Sequence, residues 1–557
     1  MRPALSLLAC LALAACDGPS STPSPQSSTS PSPATSPSPA PSPGNGAAAE
    51  RRIEADVRFL ADDLLEGREA GTRGYDLAAA YVAAQYHALG LEPAGADGWF
   101  QDVPMLRGTR EAEGARFEVE RDGTRTALAF ETEWLPGTHY TAGAFELTAP
   151  MVFVGEGVHA PALGHDDFAN VDLAGKIVVT VGKAPARFSN DERAYHASSL
   201  VKSAQFEQRG AVGVIWLSDP VEEAKRSWES GARNWRRPGM RLLEGGKAVD
   251  DFPALVARAS VRASKADLLF AGSGRTAEQV FAALEAGKLE SFDLAGRATI
   301  AARAKLETVT SRNVVAKRRG ADPALAGEHV VFTAHLDHVG LGAAVNGDTI
   351  NNGALDNALG VAVMLEAARM FAAAPAPKRS ILFIALTAEE KGLLGAHWFA
   401  RNPTVPKGSL VANVNMDMPI LLAPQADVVP VGVEHSSLQA VLEQATRELG
   451  ITLTPDPIPD EVIFVRSDQY AFVRQGVPAV YLNGGIVATD GSDAKATMLQ
   501  FLKSHYHLPS DDATLSIHYP TAARLAALNH RIGQLVADAA ERPRWNEGDF
   551  FGETFGK

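Results

Sequence analysis

Histidine and carboxylate residues follow several apolar runs in the second half of the chain. The runs His329–Thr333, Ser380–Leu386 and Val411–Val414 are each followed closely by such residues. A single histidine or aspartate after a strand is more often a cap or a solvated loop residue, but capping does not explain a repeated pattern. Proteins bind zinc through these side chains. The candidates are, in chain order, His335, Asp337, His338, Asp356, Glu389, Glu390, Asp417, His505, His507 and Asp511.

The number of carboxylates among these candidates favours a site for more than one cation. Carboxylates that lie close together without a cation repel each other, which is energetically costly. Two Zn²⁺ ions carry four positive charges, and three carboxylates with one hydroxide carry four negative charges. The pattern therefore predicts a two-metal hydrolytic site.

Alternating apolar runs and helical patterns after Asn313 predict the elements that position these residues. Helical periodicity covers Ala358–Ala373 and Ser437–Leu449, and Ala479–Leu482 is a further apolar run. Such alternation is typical of an α/β fold with a mostly parallel sheet and helices on both faces. Ligands of these sheets bind beyond the carboxyl ends of the strands, where the candidate residues occur.

The first half of the chain has a different pattern. Residues 53–65 and Tyr75–Leu89 show helical spacing of apolar residues, and residues 115–160 contain short β-prone runs. Lys176–Val181 and Ala211–Leu217 are compact apolar runs. The segment 140–295 has few clustered catalytic residue types, so we predict that it is an inserted β-rich domain.

Composition limits the classes of protein that the chain can represent. With 557 residues, 46% hydrophobic residues and 7% aromatic residues, it is long enough for two globular domains. The formal net charge of −14 argues against a nucleic-acid partner. The two cysteines are Cys10 and Cys16, so the remaining chain has no cysteine for a disulfide framework.

The N-terminal segment predicts export. Arg2 precedes an apolar run over residues 4–15, and Leu13-Ala14-Ala15-Cys16 resembles the cleavage site of bacterial lipoproteins. We expect residues 1–16 to be a signal peptide and Cys16 to carry lipid, the alternative being an ordinary signal peptide. Residues 17–49 are rich in Ser and Pro, which is typical of a disordered linker. The predicted location is a bacterial cell envelope, with membrane contact only through the lipid.

Several ordered motifs resemble peptidase family M28, a family of co-catalytic zinc peptidases. The resemblance covers residues 50–540, and the segment 140–295 resembles the protease-associated (PA) domain inserted in many members. It implies a three-layer α/β/α peptidase domain at 50–139 and 296–540, which leaves 541–557 as a tail. The motifs are AHLDHVG at 334–340, NGALDN at 352–357, TAEEKGLLG at 387–395, NVNMDM at 413–418, RSD at 466–468 with GVP at 476–478, and HLPSD at 507–511.

The resemblance implies a role for each matching residue. Two Zn²⁺ ions would be bound by five residues, and Asp356 would bridge both ions. Glu389 would act as the general base on a water molecule rather than bind metal. The implied ligands are His335 and Asp417 for one ion, Glu390 and His507 for the other, and Asp356 for both.

Further residues have expected supporting roles. Asp337, two residues after His335, is expected to accept a hydrogen bond from its ring and fix its orientation. The resemblance also implies a cis Asp356–Asn357 peptide bond. The chain departs from the family pattern at Leu359, which we expect to affect packing, and at Gln469, which we expect to lie nearer the substrate.

The resemblance implies an exopeptidase that removes N-terminal residues from peptides. The alternatives are a carboxypeptidase or another amide hydrolase on the same fold, and a glutaminyl cyclase with a single zinc ion. A binding protein without activity is a third alternative, but such relatives usually lose metal ligands, whereas this chain keeps all five.

Overall fold

The structure is a computed structural model and describes residues 43–556. The predicted signal peptide and the predicted linker up to residue 42 lie outside the described residues. The strands are β1 Glu92–Pro93, β2 Phe100–Arg121, β3 Thr124–Ala127, β4 Trp134–Pro136, β5 Ala144–Phe153, β6 His159–Ala160, β7 His165–Asp166, β8 Ile177–Thr180, β9 Gly213–Leu217, β10 Gly239–Glu244, β11 Lys247–Ala248, β12 Ala257–Val261, β13 Phe292–Arg318, β14 His329–His335, β15 Leu341–Val345, β16 Asp348–Ile350, β17 Ser380–Leu386, β18 Leu410–Asn415, β19 Asp427–Val431, β20 Thr452–Leu453 and β21 Ala479–Gly484. The α-helices are α1 Pro43–Leu60, α2 Arg73–Ala88, α3 Asn190–Ala197, α4 Ser199–Gln208, α5 Pro220–Lys225, α6 Trp228–Arg233, α7 Ala266–Phe270, α8 Ala277–Glu285, α9 Leu359–Ala373, α10 Leu394–Arg401, α11 Leu438–Leu449, α12 Gln469–Val473, α13 Ala494–Ser504, α14 Tyr519–Asp538 and α15 Phe550–Phe555.

Four parallel strands form the centre of the peptidase sheet, in the order β17–β14–β18–β21. Antiparallel β13 flanks β17, and antiparallel β19 flanks β21. His335 at the end of β14 pairs with Leu386 at the end of β17, and Thr333 pairs with Asn415 at the end of β18. The strand ends are therefore level, and the loops that follow them meet. The predicted α/β fold with a mostly parallel central sheet is confirmed.

Helices cover both faces of this sheet because its strands are apolar on both sides. In β14, Phe332 points into a core shared with α1, α9 and α14, whereas Val331 points into a core shared with α10 and α12. Side chains alternate between the two faces of a strand, so a strand with a continuous apolar run buries apolar side chains on both faces of the sheet. This explains why the central strands appear in the sequence as uninterrupted apolar runs.

The long strands β2 and β13 leave the peptidase sheet and enter a second, β-rich lobe, which we define as residues 111–302. They pair with each other from Phe100–Val314 to Glu120–Arg297, with one register shift near Ala301. Strands β3, β4, β5, β8, β9 and β12 complete the sheet of this lobe.

The lobe starts earlier than the sequence predicted. Phe117, Val119, Leu128 and Trp134, which were assigned to the peptidase domain, belong to the core of the lobe. The boundary predicted at residue 140 is therefore wrong. The transition is invisible in the sequence because β2 continues from one domain into the other without a turn.

Both ends of the described chain are folded. Helix α1 begins at Pro43, so residues 43–49 are helical rather than part of a disordered linker. Ala47-Ala48-Ala49 favour a helix, and Ile53 on its apolar face is packed in the main core. The segment 541–556, predicted as a tail, packs Phe551 into a cluster of apolar residues beside β19 and β21. In residues 43–556, no helix is both long and apolar enough to cross a membrane.

Candidate metal centre

The five predicted metal ligands meet beyond the carboxyl ends of the parallel strands. His335 ends β14, while Glu390 and Asp417 lie in the loops after β17 and β18. Asp356 lies just before α9, and His507 lies after α13. The level strand ends bring the first three together, and the two loops bring the others. These residues are far apart in the sequence, and the topology of the sheet brings them together.

The first group of donor atoms consists of His335, Asp356 and Asp417. Nε2 of His335 lies 3.0 Å from Oδ1 of Asp417 and 3.2 Å from Oδ1 of Asp356. Two ligand atoms bound to one zinc ion at about 2.1 Å lie about 3.4 Å apart in tetrahedral geometry. The spacing therefore fits one metal ion.

The second group consists of His338, Asp356, Glu390 and His507. Nε2 of His507 lies 3.2 Å from Oδ2 of Asp356 and 3.2 Å from Oε2 of Glu390. Nδ1 of His338 lies 2.7 Å from Oε1 of Glu390. Asp356 thus directs Oδ1 to one group and Oδ2 to the other, which is the arrangement of a carboxylate between two metal ions. The imidazole and carboxylate donors suit zinc.

The histidines and carboxylates of the two groups stabilise each other in the charged form. Burial lowers the pKa of His335, but the charges of Asp417 and Glu389 together with hydrogen bonds to Asp356 and Asp417 raise that pKa well above its usual value. Burial also lowers the pKa of His507, whereas Glu390 and Asp356 raise it to about 10. Each histidine therefore holds a proton where a cation would lie between carboxylates. Metal binding must release these protons.

Asp337 holds the turn that contains Glu389 and Glu390. Its Oδ1 accepts a hydrogen bond from the backbone N–H of Glu389 at 3.0 Å, and its Oδ2 accepts one from that of Glu390 at 3.4 Å. The ring of His335 contacts the backbone carbonyl of Asp337 through Nδ1 at 3.0 Å. Asp337 therefore contacts the His335 ring as expected, but through its backbone carbonyl, while its carboxylate binds the loop of Glu389 and Glu390.

Glu389 lies beside the two groups but belongs to neither within the described residues. Burial raises the pKa of Glu389 well above its usual value, and the charges of Asp417, Glu390 and Asp468 raise it further, although His335 opposes them. A carboxyl group with a raised pKa is able to take up a proton near neutral pH. This property suits proton transfer.

Asp356 is positioned by two neighbouring polar residues. Asp511 accepts hydrogen bonds from the backbone N–H groups of Leu355 at 2.8 Å and Asp356 at 3.1 Å. Asn357 donates to the carbonyl of Met416 at 3.0 Å, which ties this loop to the loop that contains Asp417. The Asp356–Asn357 peptide bond is cis, as the resemblance implied.

Gly353 permits the close approach of the Asp356 loop to His338. It has a φ of 64°, and a Cβ atom there would lie 2.7 Å from the His338 ring and still closer to the carbonyl of Asp356. A larger residue at this position would push the loop away from the second group of donors.

Arg68 is a buried cation behind the metal centre that the sequence analysis missed. It donates hydrogen bonds to the carbonyls of Leu336 at 2.9 Å, Asn352 at 2.6 Å and Gly353 at 3.1 Å, and also to that of Leu60. Burial lowers its pKa to about 10, against the charges of nearby carboxylates. Arg68 therefore joins the loops that carry His335 and Asp356. Its hydrogen-bond partners are distant in sequence, so no local sequence pattern indicates this role.

Replacing Arg68 with Met is expected to lower the free energy of unfolding by about 3–5 kcal/mol, because four buried carbonyls would lose their donor. Arg58→Met is the matched control, since Arg58 is exposed and pairs only with Glu54 one helical turn away. The control is expected to change the free energy by less than about 0.5 kcal/mol. Urea unfolding of both variants measures the difference, and equal values would contradict the role of Arg68.

Asp468 is a second buried carboxylate near the centre. Neither of its oxygen atoms has a hydrogen-bond partner among residues 43–556. Burial raises its pKa well above the usual value, and the charges of Asp417 and Asp337 raise it further despite His335. The charged form of Asp468 is therefore disfavoured. Its motif was recognised in the sequence, but its burial was not visible there.

Three further residues near the centre have structural contacts. His505 contacts Ser510 through Nδ1 at 3.0 Å, outside both donor groups. The Tyr481 hydroxyl donates to the carbonyl of Asp417 at 2.7 Å. The Tyr506 ring stacks on that of His507 with 3.9 Å between their centroids.

Gln469, which we expect to lie nearer the substrate, has a fully buried side chain. Its side chain accepts a hydrogen bond from Asn415 at 2.7 Å and donates one to the carbonyl of Phe464 at 2.8 Å. Leu359 is fully buried in the main core, in agreement with an effect on packing. Both departures from the family pattern are therefore accommodated inside the protein.

Two donor groups that share a carboxylate thus lie at the strand ends of an α/β sheet, where such sheets bind their ligands. Residues 313–532 match the pattern described as "Peptidase family M28". This match covers the same part of the chain as the motifs that resemble that family. The PA-like character of the lobe remains a prediction.

Two curated proteins are similar to a short part of the chain. Both are named "Probable zinc metalloprotease" and come from Pyrenophora tritici-repentis (strain Pt-1C-BFP) and Pyrenophora teres f. teres (strain 0-1). Each is 48% identical over 66 residues, which is 12% of this chain. The aligned segment spans only 15% and 14% of the length of these relatives.

A solved structure has a similar fold over most of the chain. It is an aminopeptidase from Aneurinibacillus sp. strain AM-1, with a TM-score of 0.53 and 19% sequence identity. The match covers 88% of this chain and 95% of that protein. At this identity the similarity shows the shared fold alone.

Proposed function

We propose that this protein is a zinc-dependent aminopeptidase that hydrolyses the N-terminal bond of peptides. The observation that carries the proposal is the pair of donor groups that share Asp356, with Glu389 beside them and outside both. The names of the similar proteins, zinc metalloprotease and aminopeptidase, support the choice of metal and substrate.

In this proposal His335, Asp356 and Asp417 hold one zinc ion, and Asp356, Glu390 and His507 hold the other. His338 contacts Glu390 and is available to the second group. When bound, the ions polarise the scissile carbonyl and lower the pKa of water.

The remaining chemistry belongs to residues of the chain. Glu389 takes a proton from the attacking water and gives it to the leaving amine, as general acid–base catalysis requires. Asp337 keeps the Glu389 carboxylate in place through the backbone of its turn. Burial of these groups excludes bulk water and strengthens their electrostatic interactions.

Hydrolysis of matched peptides with free or acetylated N-termini, followed by mass spectrometry, tests the proposal. We expect the zinc-loaded protein to remove residues stepwise from the N-terminus of the free peptide and to leave the acetylated peptide intact. Cleavage of both peptides from the C-terminus would instead establish a carboxypeptidase. Conversion of an N-terminal glutamine to a cyclic product, with one bound zinc ion, would establish a glutaminyl cyclase.

A further inference from the structure

A cavity of about 360 Å³ is lined by residues of the β-rich lobe and by Arg110, the residue of β2 directly before the lobe. This volume is in the range of small-ligand pockets, about 300–1,000 Å³. Tyr140 and Trp216 provide aromatic surface in its wall. Four arginines also line it, namely Arg110, Arg237, Arg241 and Arg258.

Three of these arginines have no acidic partner. Arg258 lies 3.0 Å from Asp251 and is neutralised by it. Within residues 43–556, the guanidinium groups of Arg110, Arg237 and Arg241 form no ion pair, and Nε of Arg237 and of Arg241 is buried without a hydrogen-bond partner. Burial lowers the pKa of Arg110 and Arg237. Partly buried cations without an anion are destabilising, and an anionic ligand would offset that effect.

Strand β10 connects the cavity to the catalytic turn. Met240 and Leu242 on β10 pack in one apolar cluster with Ala388, the residue before Glu389. Side chains alternate along a strand, so Arg241 points to the opposite face, where it lines the cavity. One face of β10 therefore lines the cavity, and the other face packs against the residue before Glu389.

Arg237 lines the cavity and lies beside the hairpin that follows His338. Its neighbour Asn234 accepts a hydrogen bond from the backbone N–H of Ala343 at 3.2 Å, in the hairpin that follows His338. A Cβ atom on Gly342 in this hairpin would lie 2.5 Å from Nη2 of Arg237. Although burial lowers the pKa of Arg237, the charge of Glu390 opposes this effect, so the two groups are within electrostatic range.

We propose that this cavity binds a carboxylate of the peptide substrate, on the leaving-group side of the scissile bond. Arginine suits this role because its planar fork binds a carboxylate through two hydrogen bonds. An extended peptide advances about 3.3 Å per residue, so the C-terminus of a tripeptide lies within about 10 Å of its first bond. The preferred substrates are short peptides with a free C-terminal carboxylate or an acidic side chain near the N-terminus. The proposal rests on the proposed aminopeptidase activity.

Peptides that differ only in their carboxylates test the inference. The zinc-loaded full chain is given Leu-Gly-Gly, its C-terminal amide, and the amide of Leu-Gly-Glu. We expect kcat/KM to be about tenfold higher for the acid than for the Leu-Gly-Gly amide, as for a hydrogen bond to a charged group. If the Leu-Gly-Glu amide recovers the rate, the side-chain carboxylate is also accepted. Equal kcat/KM values for all three peptides would overturn the proposal. This test needs only the wild-type protein.

Arg241→Met and Arg237→Met are each expected to reduce the ratio of kcat/KM for Leu-Gly-Gly to kcat/KM for its amide to about one. Arg116→Met on the surface of the lobe is the control, because Arg116 already pairs with Glu146. A ratio that stays at the wild-type value in both cavity variants would contradict the assignment.

Calorimetry of the metal-free full chain separates this inference from the proposed function. Metal-free protein cannot report on catalysis, but its cavity should bind Gly-Gly-Gly more tightly than the amide. If no peptide is hydrolysed by the zinc-loaded protein and this binding preference is present, the activity is wrong and the carboxylate site is right. Binding of inorganic phosphate, with no preference between the two peptides, would overturn the carboxylate assignment.

Discussion

Replacing Glu389 with Gln is expected to lower kcat for peptide hydrolysis by about 10²–10⁴-fold while the protein keeps its bound metal. Glutamine has the same shape as glutamate but cannot take a proton from water. The turn itself should persist, because Asp337 holds it through the backbone N–H groups of Glu389 and Glu390. Steady-state kinetics measure kcat, and elemental mass spectrometry measures zinc per chain.

The control for this variant is Glu66→Gln. Glu66 is exposed and lies in the loop that contains Arg68, so it tests the general effect of removing a negative charge near the centre. We expect this control to keep the wild-type kcat. If Glu389→Gln retained more than about a tenth of kcat, the assignment as a base would be wrong. If it lost zinc, Glu389 would be a metal ligand instead.

The parts of the fold that were predictable from the sequence are those in which one periodic pattern fills a whole element. Strand β17 was predicted with its observed ends, Ser380 and Leu386, because it is buried on both faces and bounded by polar residues. The convergence of His335, Glu390 and Asp417 also followed from the sequence. Parallel strands end at one edge of a sheet, so residues after such strands must meet there.

The parts that were not predictable depend on contacts between distant segments. Arg68 is separated by 268 positions from Leu336, whose carbonyl it binds, and nothing near Arg68 in the sequence indicates that contact. The carboxylate of Asp337 accepts a hydrogen bond from the N–H of Glu389, which is 52 positions away, and no local pattern indicates that contact. The lobe boundary was missed because β2 and β13 are each shared by two domains. Periodicity describes one element, whereas these features belong to pairs of elements.

Replacing Asp356 with Ala is expected to weaken the binding of both zinc ions by more than about 100-fold, since even the loss of a partner outside the metal shell costs about 10–100-fold. Asp356 is the one residue shared by the two donor groups within residues 43–556. Its removal leaves His335 and Asp417 without a third protein ligand. It also removes the carboxylate that faces His507 at 3.2 Å.

His335→Ala is the matched comparison, because His335 belongs to the first group alone. It is expected to lose one ion and to keep the other, bound by the second group. Competition with a chelating zinc indicator measures the number of bound ions and their affinities in the wild type and both variants. Loss of two ions in Asp356→Ala and of one in His335→Ala requires a bridging carboxylate. If Asp356→Ala retained one tightly bound ion, Asp356 would serve a single site, and if the wild type bound only one ion, a single-zinc enzyme would replace the two-metal mechanism.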